Sequence, residues 1–383
     1  MNRVYVKPAL LRWARERAGL SEKDLLKTFP KLQEWETEIS APTLRQLETY
    51  AQRTWTPFGY FFLTEPPEEK LPIPDFRTVR DTPIHRPSPH LLEMVFTMQR
   101  RQAWLRDFLI EEQADPLAFV GSVSLRNDTV AVAAQMRDKL GITSDWARHF
   151  GTWGEALLAL RDDIEELGVV TTWSGVVGNN TRRKLDVKEF RGFVLPDEYA
   201  PLIFVNSADA KAAQMFTLVH ELVHVWLGSG GVSNLEALQP SDNRVEKFCN
   251  RVAAEFLVPV HEFEILWIRA KDTADPFQVI ARRFKVSPLV AARRALDLNC
   301  ISKQIFFDFY SAYMDEDRRR RNARPSGGDF YRTNDLRLGR PFSEAIAHAV
   351  QDGRLLYHNA YQLTGLQGKT FDRFVGRLTG AVK

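Results

Sequence analysis

His220-Glu221-Leu222-Val223-His224 places two imidazoles four residues apart with a carboxylate between them. Four residues make about one turn of helix, so both rings can reach one cation from the same face while the glutamate projects beside them. The chemistry of such a set is hydrolysis. A zinc ion acidifies a water and polarises a carbonyl, and a glutamate in the place of Glu221 accepts the proton of that water. Only eight histidines occur in 383 residues, which makes an accidental match uncommon. The competing reading is a pair of surface histidines on an amphipathic helix. Against it stands the flanking sequence, in which Met215, Phe216, Leu218, Val219, Leu222, Val223 and Trp226 are all apolar. A helix of that composition must be buried, and imidazoles buried without a partner are costly. Ala212 to Leu227 is predicted as this helix, with Gly228, Gly230 and Gly231 as its stop signal. The β-rich run from Ala200 to Ser207 is predicted as a strand leading into it.

A catalytic zinc needs a third protein ligand and an open position. Asp242 to Val258 is predicted as a second helix ending at Pro259, and it offers Glu246 and Glu255. Glu246 has Asn250 one turn further on, so a carboxylate and an amide share one face, which suits a ligand plus a group that orients a histidine ring. Glu255 is the alternative and reads more simply as a solvent-facing or salt-bridging residue. The expected set is therefore His220, His224 and Glu246 around one catalytic Zn2+, Glu221 as general base and Asn250 behind the ligands. A sheet edge should hold an extended peptide nearby, with Ala200–Asn206 or Phe190–Leu195 as the two candidates. Arg191, Asn206 and His261 are open candidates for stabilising an oxyanion, each reading more simply as a structural residue.

These residues carry a resemblance. The chain resembles the ImmA/IrrE family of metallopeptidases, in the form that begins with an XRE-type helix-turn-helix domain. The resemblance runs through Glu189-Phe-Arg-Gly-Phe-Val-Leu-Pro196, the Ala200-Pro-Leu-Ile-Phe-Val-Asn206 run, Phe216-Thr-Leu-Val-His-Glu-Leu-Val-His224 and Phe248-Cys-Asn-Arg-Val-Ala-Ala-Glu-Phe-Leu-Val-Pro259. It implies a gluzincin-like site in which His220, His224 and Glu246 match the ligand positions, Glu221 matches the base and Asn250 matches the family's asparagine. It also implies a regulatory endopeptidase that cuts a transcriptional repressor or a similar protein.

The rest of the chain must position that set. Residues 8–63 are helical in pattern and define a first domain over 1–64, and 65–89 form a Pro-rich linker or extended strap beginning Glu65-Pro-Pro-Glu-Glu-Lys-Leu-Pro-Ile-Pro-Asp75. Helices at 89–113, 129–140 and 154–167 precede a strand at Val169–Trp173, which gives an α+β, zincin-type peptidase domain over 90–270. Asn179–Lys184 reads as a basic hairpin or loop tip. Residues 271–312 read as a helix-turn-helix-like hairpin, favoured as a cover for the peptidase core over a second nucleic-acid module. Residues 313–334, with Arg318–Arg321, are expected to be a charged flexible loop, and 335–383 a small helical C-terminal module. A net charge of +3 gives no argument for nucleic acid by itself. No apolar run reaches membrane length and no signal-peptide core opens the chain, so a cytoplasmic location is expected, with Cys249 and Cys300 as reduced thiols.

The N-terminal segment resembles an XRE helix-turn-helix through Leu11-Arg-Trp-Ala-Arg-Glu-Arg-Ala-Gly-Leu-Ser21 and the Trp35-Glu36 and Pro42-Thr43 pairs. Its reading helix departs from the pattern, because Lys27-Thr-Phe-Pro-Lys-Leu-Gln-Glu34 is short and interrupted by Pro30, and Glu34, Glu36 and Glu38 oppose phosphate contact. Lys31 and Gln33 are its base-reading candidates. Two functions are thus expected as alternatives. One is a zinc endopeptidase acting on a cytoplasmic protein, a repressor by the resemblance. The other is a DNA-binding or partner-binding regulator, a sensor or antitoxin-like scaffold facing a toxin-like partner.

Overall fold

The computed structural model describes residues 3–75, 78–79, 82–83, 87–233, 243–321 and 335–380. The chain divides into two compact units, Met1–Pro72 with Ile84–Phe96, and Ile73–Pro83 with Thr97–Lys383. Among the described residues no helix is long and apolar enough to cross a membrane.

The first unit holds four short helices, α1 (Pro8–Arg17), α2 (Glu22–Leu26), α3 (Leu32–Glu36) and α4 (Leu44–Arg53), with a 3-10 turn at Phe58–Phe62. Local chemistry sets their starts. Pro8 stands at the first turn of α1, and Ser21 with Asp24 and Thr43 with Gln46 form reciprocal capping boxes. Pro30 lies between α2 and α3, where its missing N–H and its restriction of Phe29 keep both to five residues. Leu11, Leu25, Phe29, Leu32, Trp35, Tyr50 and Phe61 form the core, and the Tyr50 hydroxyl donates to the Leu11 carbonyl at 2.9 Å. Glu36 accepts from the Arg15 guanidinium at 3.1 and 3.4 Å, so the Trp35-Glu36 pair locks the helices together through one apolar and one charged contact.

The chain continues through β1 (Thr78–Val79), β2 (Thr82–Pro83), α5 (Pro89–Glu111), α6 (Thr129–Lys139), α7 (Trp153–Glu166), β3 (Val170–Ser174), β4 (Gly192–Leu195), β5 (Leu202–Asn206), α8 (Lys211–Leu227), β6 (Gly231–Ser233) and α9 (Arg244–Leu257). After these come α10 (Val260–Ala270), α11 (Pro276–Phe284), α12 (Pro288–Asp297), α13 (Lys303–Arg321), α14 (Arg340–Gln351), α15 (Tyr357–Thr364) and α16 (Gly368–Leu378). The second unit is mixed α and β around a four-stranded sheet of order β3-β5-β4-β6. β3 runs parallel to β5, and β4 runs antiparallel to both of its neighbours. Every residue of α8 from Gln214 to Trp226 is buried, as its apolar sequence demands. Gly228 ends the helix at φ +64, a conformation in which a side chain would be strained. The main-chain N–H groups of Gly121 and Val123 donate to the Val225 and Trp226 carbonyls, satisfying groups that the helix end leaves open.

Several expectations change here. Neither β4 nor β5 is an edge, because each has a hydrogen-bonded strand on both sides; the outer strands are β3 and β6. A run of four or five buried residues, apolar but for Asn206, fits an inner strand, and its place in the order is a long-range matter that periodicity cannot reveal. At the β3 side, Gly339 comes so close to the Thr171 carbonyl that an added Cβ would stand 2.7 Å from it. The expected loop at 313–334 is helical through Arg321, since α13 continues across Met314–Arg321, a run without proline or glycine in which acids precede arginines at helical spacing. Residues 322–334 of that expected loop, residues 76–77, 80–81 and 84–86 of the expected linker, and Asp242 lie outside the described residues. The Asn179–Lys184 segment is a hairpin, closed by a bridge between Val176 and Lys184. α11 and α12 bury Phe277, Ile280, Phe284, Leu289 and Val290 in the same hydrophobic core to which α8 contributes.

Candidate metal centre

Two helices and the sheet build the site. α8 lies against β4 and β5, and the approach is close at Gly192, where a Cβ would stand 2.7 Å from Thr217 Cγ2 and 2.9 Å from Glu221 Oε1. Glycine there is what lets the helix carry a carboxylate down onto the sheet. α9 begins at an Asn243 cap, whose side chain accepts from the Val245 N–H, and this start places Glu246 in the first turn. Burial of Phe248, Val252, Ala253 and Phe256 fixes the rotation of α9, so the Glu246 carboxylate faces α8.

The three expected donors converge. His220 Nε2 lies 3.2 Å from Glu246 Oε2, His224 Nε2 lies 3.1 Å from Glu246 Oε1, and the two Nε2 atoms are 3.1 Å apart. Their ligand atoms all fall within 4.8 Å of one another, and all three residues are buried. For zinc with nitrogen and oxygen ligands at ~2.0–2.1 Å, the edge of a coordination tetrahedron is roughly 3.3 Å. The spacing of the donors therefore fits that ion. The donor chemistry points the same way, since two imidazole nitrogens and a carboxylate are ligand types that zinc takes. Burial opposes the charge on Glu246, yet the neighbouring rings outweigh it through charge and hydrogen bonding and hold the carboxyl well below the usual range. An ionised carboxylate beside two imidazoles is the form a cation needs.

Glu221 is fully buried, and burial pushes its carboxyl up to about 8, against the lowering influence of His224 and of a hydrogen bond from Ser233. Ser233 Oγ donates to Glu221 Oε1, while Oε2 has no hydrogen-bond partner. One oxygen is thus tethered and the other is left to accept a proton. Sequence reasoning gave no role to Ser233 or Gly192. Ser233 lies in a three-residue strand with no motif of its own, and Gly192, though inside the quoted Glu189–Pro196 block, carries no side chain to read.

Other expected residues are placed differently. Asn250 has a buried Oδ1 without a hydrogen-bond partner and bonds neither histidine ring; His220 Nδ1 is likewise buried and unbonded, so the expected orienting bond between amide and ring is not formed. Glu255 takes the salt-bridging alternative and not the solvent-facing one. It is 4% exposed and pairs with the buried Arg294, which also donates to the Val258 carbonyl. Arg191 pairs with Asp209 at 3.1 Å, Asn206 donates to the Phe190 carbonyl, and His261 is exposed on α10, each a structural position away from the triad's hydrogen bonds. Cys249 and Cys300 are free thiols. In the first unit, Lys31 and Gln33 are exposed, but Lys31 pairs with Glu34 at 3.4 Å and Gln33 bonds Glu22. Both base-reading candidates are thus engaged by carboxylates of their own unit.

Comparison with known families adds an independent observation. Residues 165–296, about a third of the chain, match the peptidase family described as the IrrE N-terminal-like domain. The match spans β3 through α12 and so includes all three donors and Glu221. It supports the ImmA/IrrE resemblance over this segment and suggests a metallopeptidase-type regulator. Residues 338–377 match a domain of unknown function, DUF8813. No curated protein matches the chain.

Proposed function

We propose that the protein is a zinc-dependent regulatory endopeptidase that cleaves another protein of the cytoplasm, in the manner expected for a transcriptional repressor as substrate. The observation that carries this reading is the juxtaposition of three buried donors at 3.1–3.2 Å with a carboxylate that has one oxygen tethered and the other free. His220, His224 and Glu246 would hold the ion. When bound, zinc supplies a Lewis acid and an acidified water. Glu221 Oε2 takes the proton of the attacking water and returns it to the departing amine, while Ser233 keeps the carboxylate aimed by holding Oε1. The buried walls of α8 and α9 exclude bulk water, which strengthens each of these interactions.

A scaffold that only displayed a metal would have no use for a buried carboxylate poised beside the ligands. The alternative, a DNA- or partner-binding regulator without proteolysis, would act through Lys31 and Gln33, and their carboxylate pairs weaken its DNA form. The purified protein should contain one zinc per chain by atomic emission, and a His220→Ala, His224→Ala double variant should contain none. Equal zinc in both would remove the site assignment. A Glu221→Gln chain used as bait should retain a protein that the native chain cuts. Recovery solely of an intact toxin-like partner, uncut by the native chain, would favour the scaffold reading.

A further inference from the structure

The outer edge of β6 is occupied by the chain itself. The Val232 N–H, which points away from β4, donates to the Pro74 carbonyl at 2.9 Å, and Asp75 stands opposite Val232 in a parallel bridge. This edge runs beside the general base. The next residue, Ser233, donates to Glu221 Oε1, and its partner across the ladder is Gly192, the position over which Glu221 closes. A segment paired with Val232 therefore lies about one strand spacing, ~4.8 Å, outside the strand that tethers Glu221.

We propose that the outer edge of β6 is the seat for an extended polypeptide substrate, and that residues 73–75 hold it as an intramolecular strap which the substrate must displace. The substrate half of this statement rests on the peptidase reading; the occupancy of the edge does not. Open strand edges bind extended chains through main-chain groups, so any peptide can compete for the position. The strap is built to fill it without claiming more. Pro74 biases Ile73 toward extended backbone, which prepares the segment for strand pairing. Neither Pro72 nor Pro74 has an N–H to donate, so the ladder cannot lengthen through them. Pro72, Pro74 and Asp75 are exposed. Three residues, Lys70–Pro72, separate the strap from Glu69, whose carboxylate is gripped in two-point fashion by Arg17 at 2.5 and 2.8 Å.

The test uses the full zinc-loaded chain and a synthetic peptide, Leu-Pro-Ile-Pro-Asp-Phe-Arg, which copies residues 71–77 and carries a fluorophore. In one variant residues 71–75 are replaced by Gly-Ser-Gly-Ser-Gly; a second, milder variant carries Pro72→Gly and Pro74→Gly. Hydrogen exchange of the Val232 amide should be at least tenfold faster in the first variant than in the native chain, with the second between them. By fluorescence anisotropy the peptide should bind the first variant at least tenfold more tightly than the native chain. Equal exchange at Val232 in all three proteins would overturn the proposal, as would peptide binding that is the same, or absent, in native chain and variants. Neither readout needs turnover. Loss of the peptidase reading would show instead as an inert native chain with full zinc, and would leave the exchange and binding results as they were.

Discussion

In the proposed reaction Glu221 is the residue on which the chemistry turns, because its burial and its hydrogen bond set its two oxygens apart. Replacing it with glutamine keeps the volume and removes the base, so Glu221→Gln should retain stoichiometric zinc while cleavage falls by about 10²–10⁴-fold. A variant that lost metal as well as turnover would show that Glu221 is needed to assemble the site. The carboxyl also predicts a pH dependence of stability. Its folded value, about 8, lies above the ordinary 4.5, so between those values the folded chain binds a proton that the unfolded chain has released. The contribution from this group is complete below about 4.5 and disappears as pH rises through about 8. Glu246, held below its usual range, acts with the opposite sign and only at acid pH. Metal-free protein should therefore unfold in less urea at pH 8.5 than at pH 6, and zinc, whose charge favours the ionised carboxylate, should shrink that difference. A midpoint that rises with pH in the absence of metal would contradict the burial argument.

At the scale of elements, the site depends on how closely α8 and α9 are brought to their neighbours. Gly192→Ala would place a methyl 2.7 Å from Thr217 Cγ2 and 2.9 Å from Glu221 Oε1, so α8 must shift away from β4. Overpacking of this kind costs about 1–3 kcal/mol. Denaturant titration should register that loss together with weaker zinc retention, since the same shift moves both histidines. An alanine that left stability and zinc untouched would mean that the helix has slack at this point. The far end of α9 is held differently. Glu255 pairs with Arg294 inside the protein, and Arg137 donates to the Glu255 and Phe256 carbonyls. Arg294→Met would leave Glu255 buried without its partner, at a cost of about 3–5 kcal/mol. The double change Arg294→Met, Glu255→Gln should recover part of it, and equal stability of the single and double variants would argue against charge as the cause.

Among the described residues, two of the cores have separate membership. One gathers Leu11, Phe29, Trp35 and Tyr50 in the first unit, and the other runs from Phe119 to Phe306 around α8 and α9. The proposed metal belongs wholly to the second. Ligand binding adds stability only to the unit that binds, by about 4 kcal/mol when the free ion exceeds its dissociation constant a thousandfold. Scanning calorimetry should therefore show two transitions, of which chelation lowers one. If both fell together, the units would be melting as one and the division would be energetically empty.

The sequence alone determined what is local. Four-residue spacing puts His220 and His224 on one helical face, the apolar flanks require that helix to be buried, and Gly228 stops it; each step needs only neighbours along the chain. Glu246 was legible for the same reason, through its place on a second amphipathic helix with Asn250 one turn on. Tertiary structure decided everything that depends on which distant segments meet. Strand order made β6 an edge and β4 and β5 inner strands, and the packing of α8 on Gly192 brought Ser233 to Glu221. The burial of Glu255 against Arg294 came from a helix 39 residues away. Periodicity fixes which face of an element is apolar, whereas the identity of the element that covers it follows from the packing of the whole chain, and that is why the three convergent side chains could be named in advance and the strap, the tether and the edge could not.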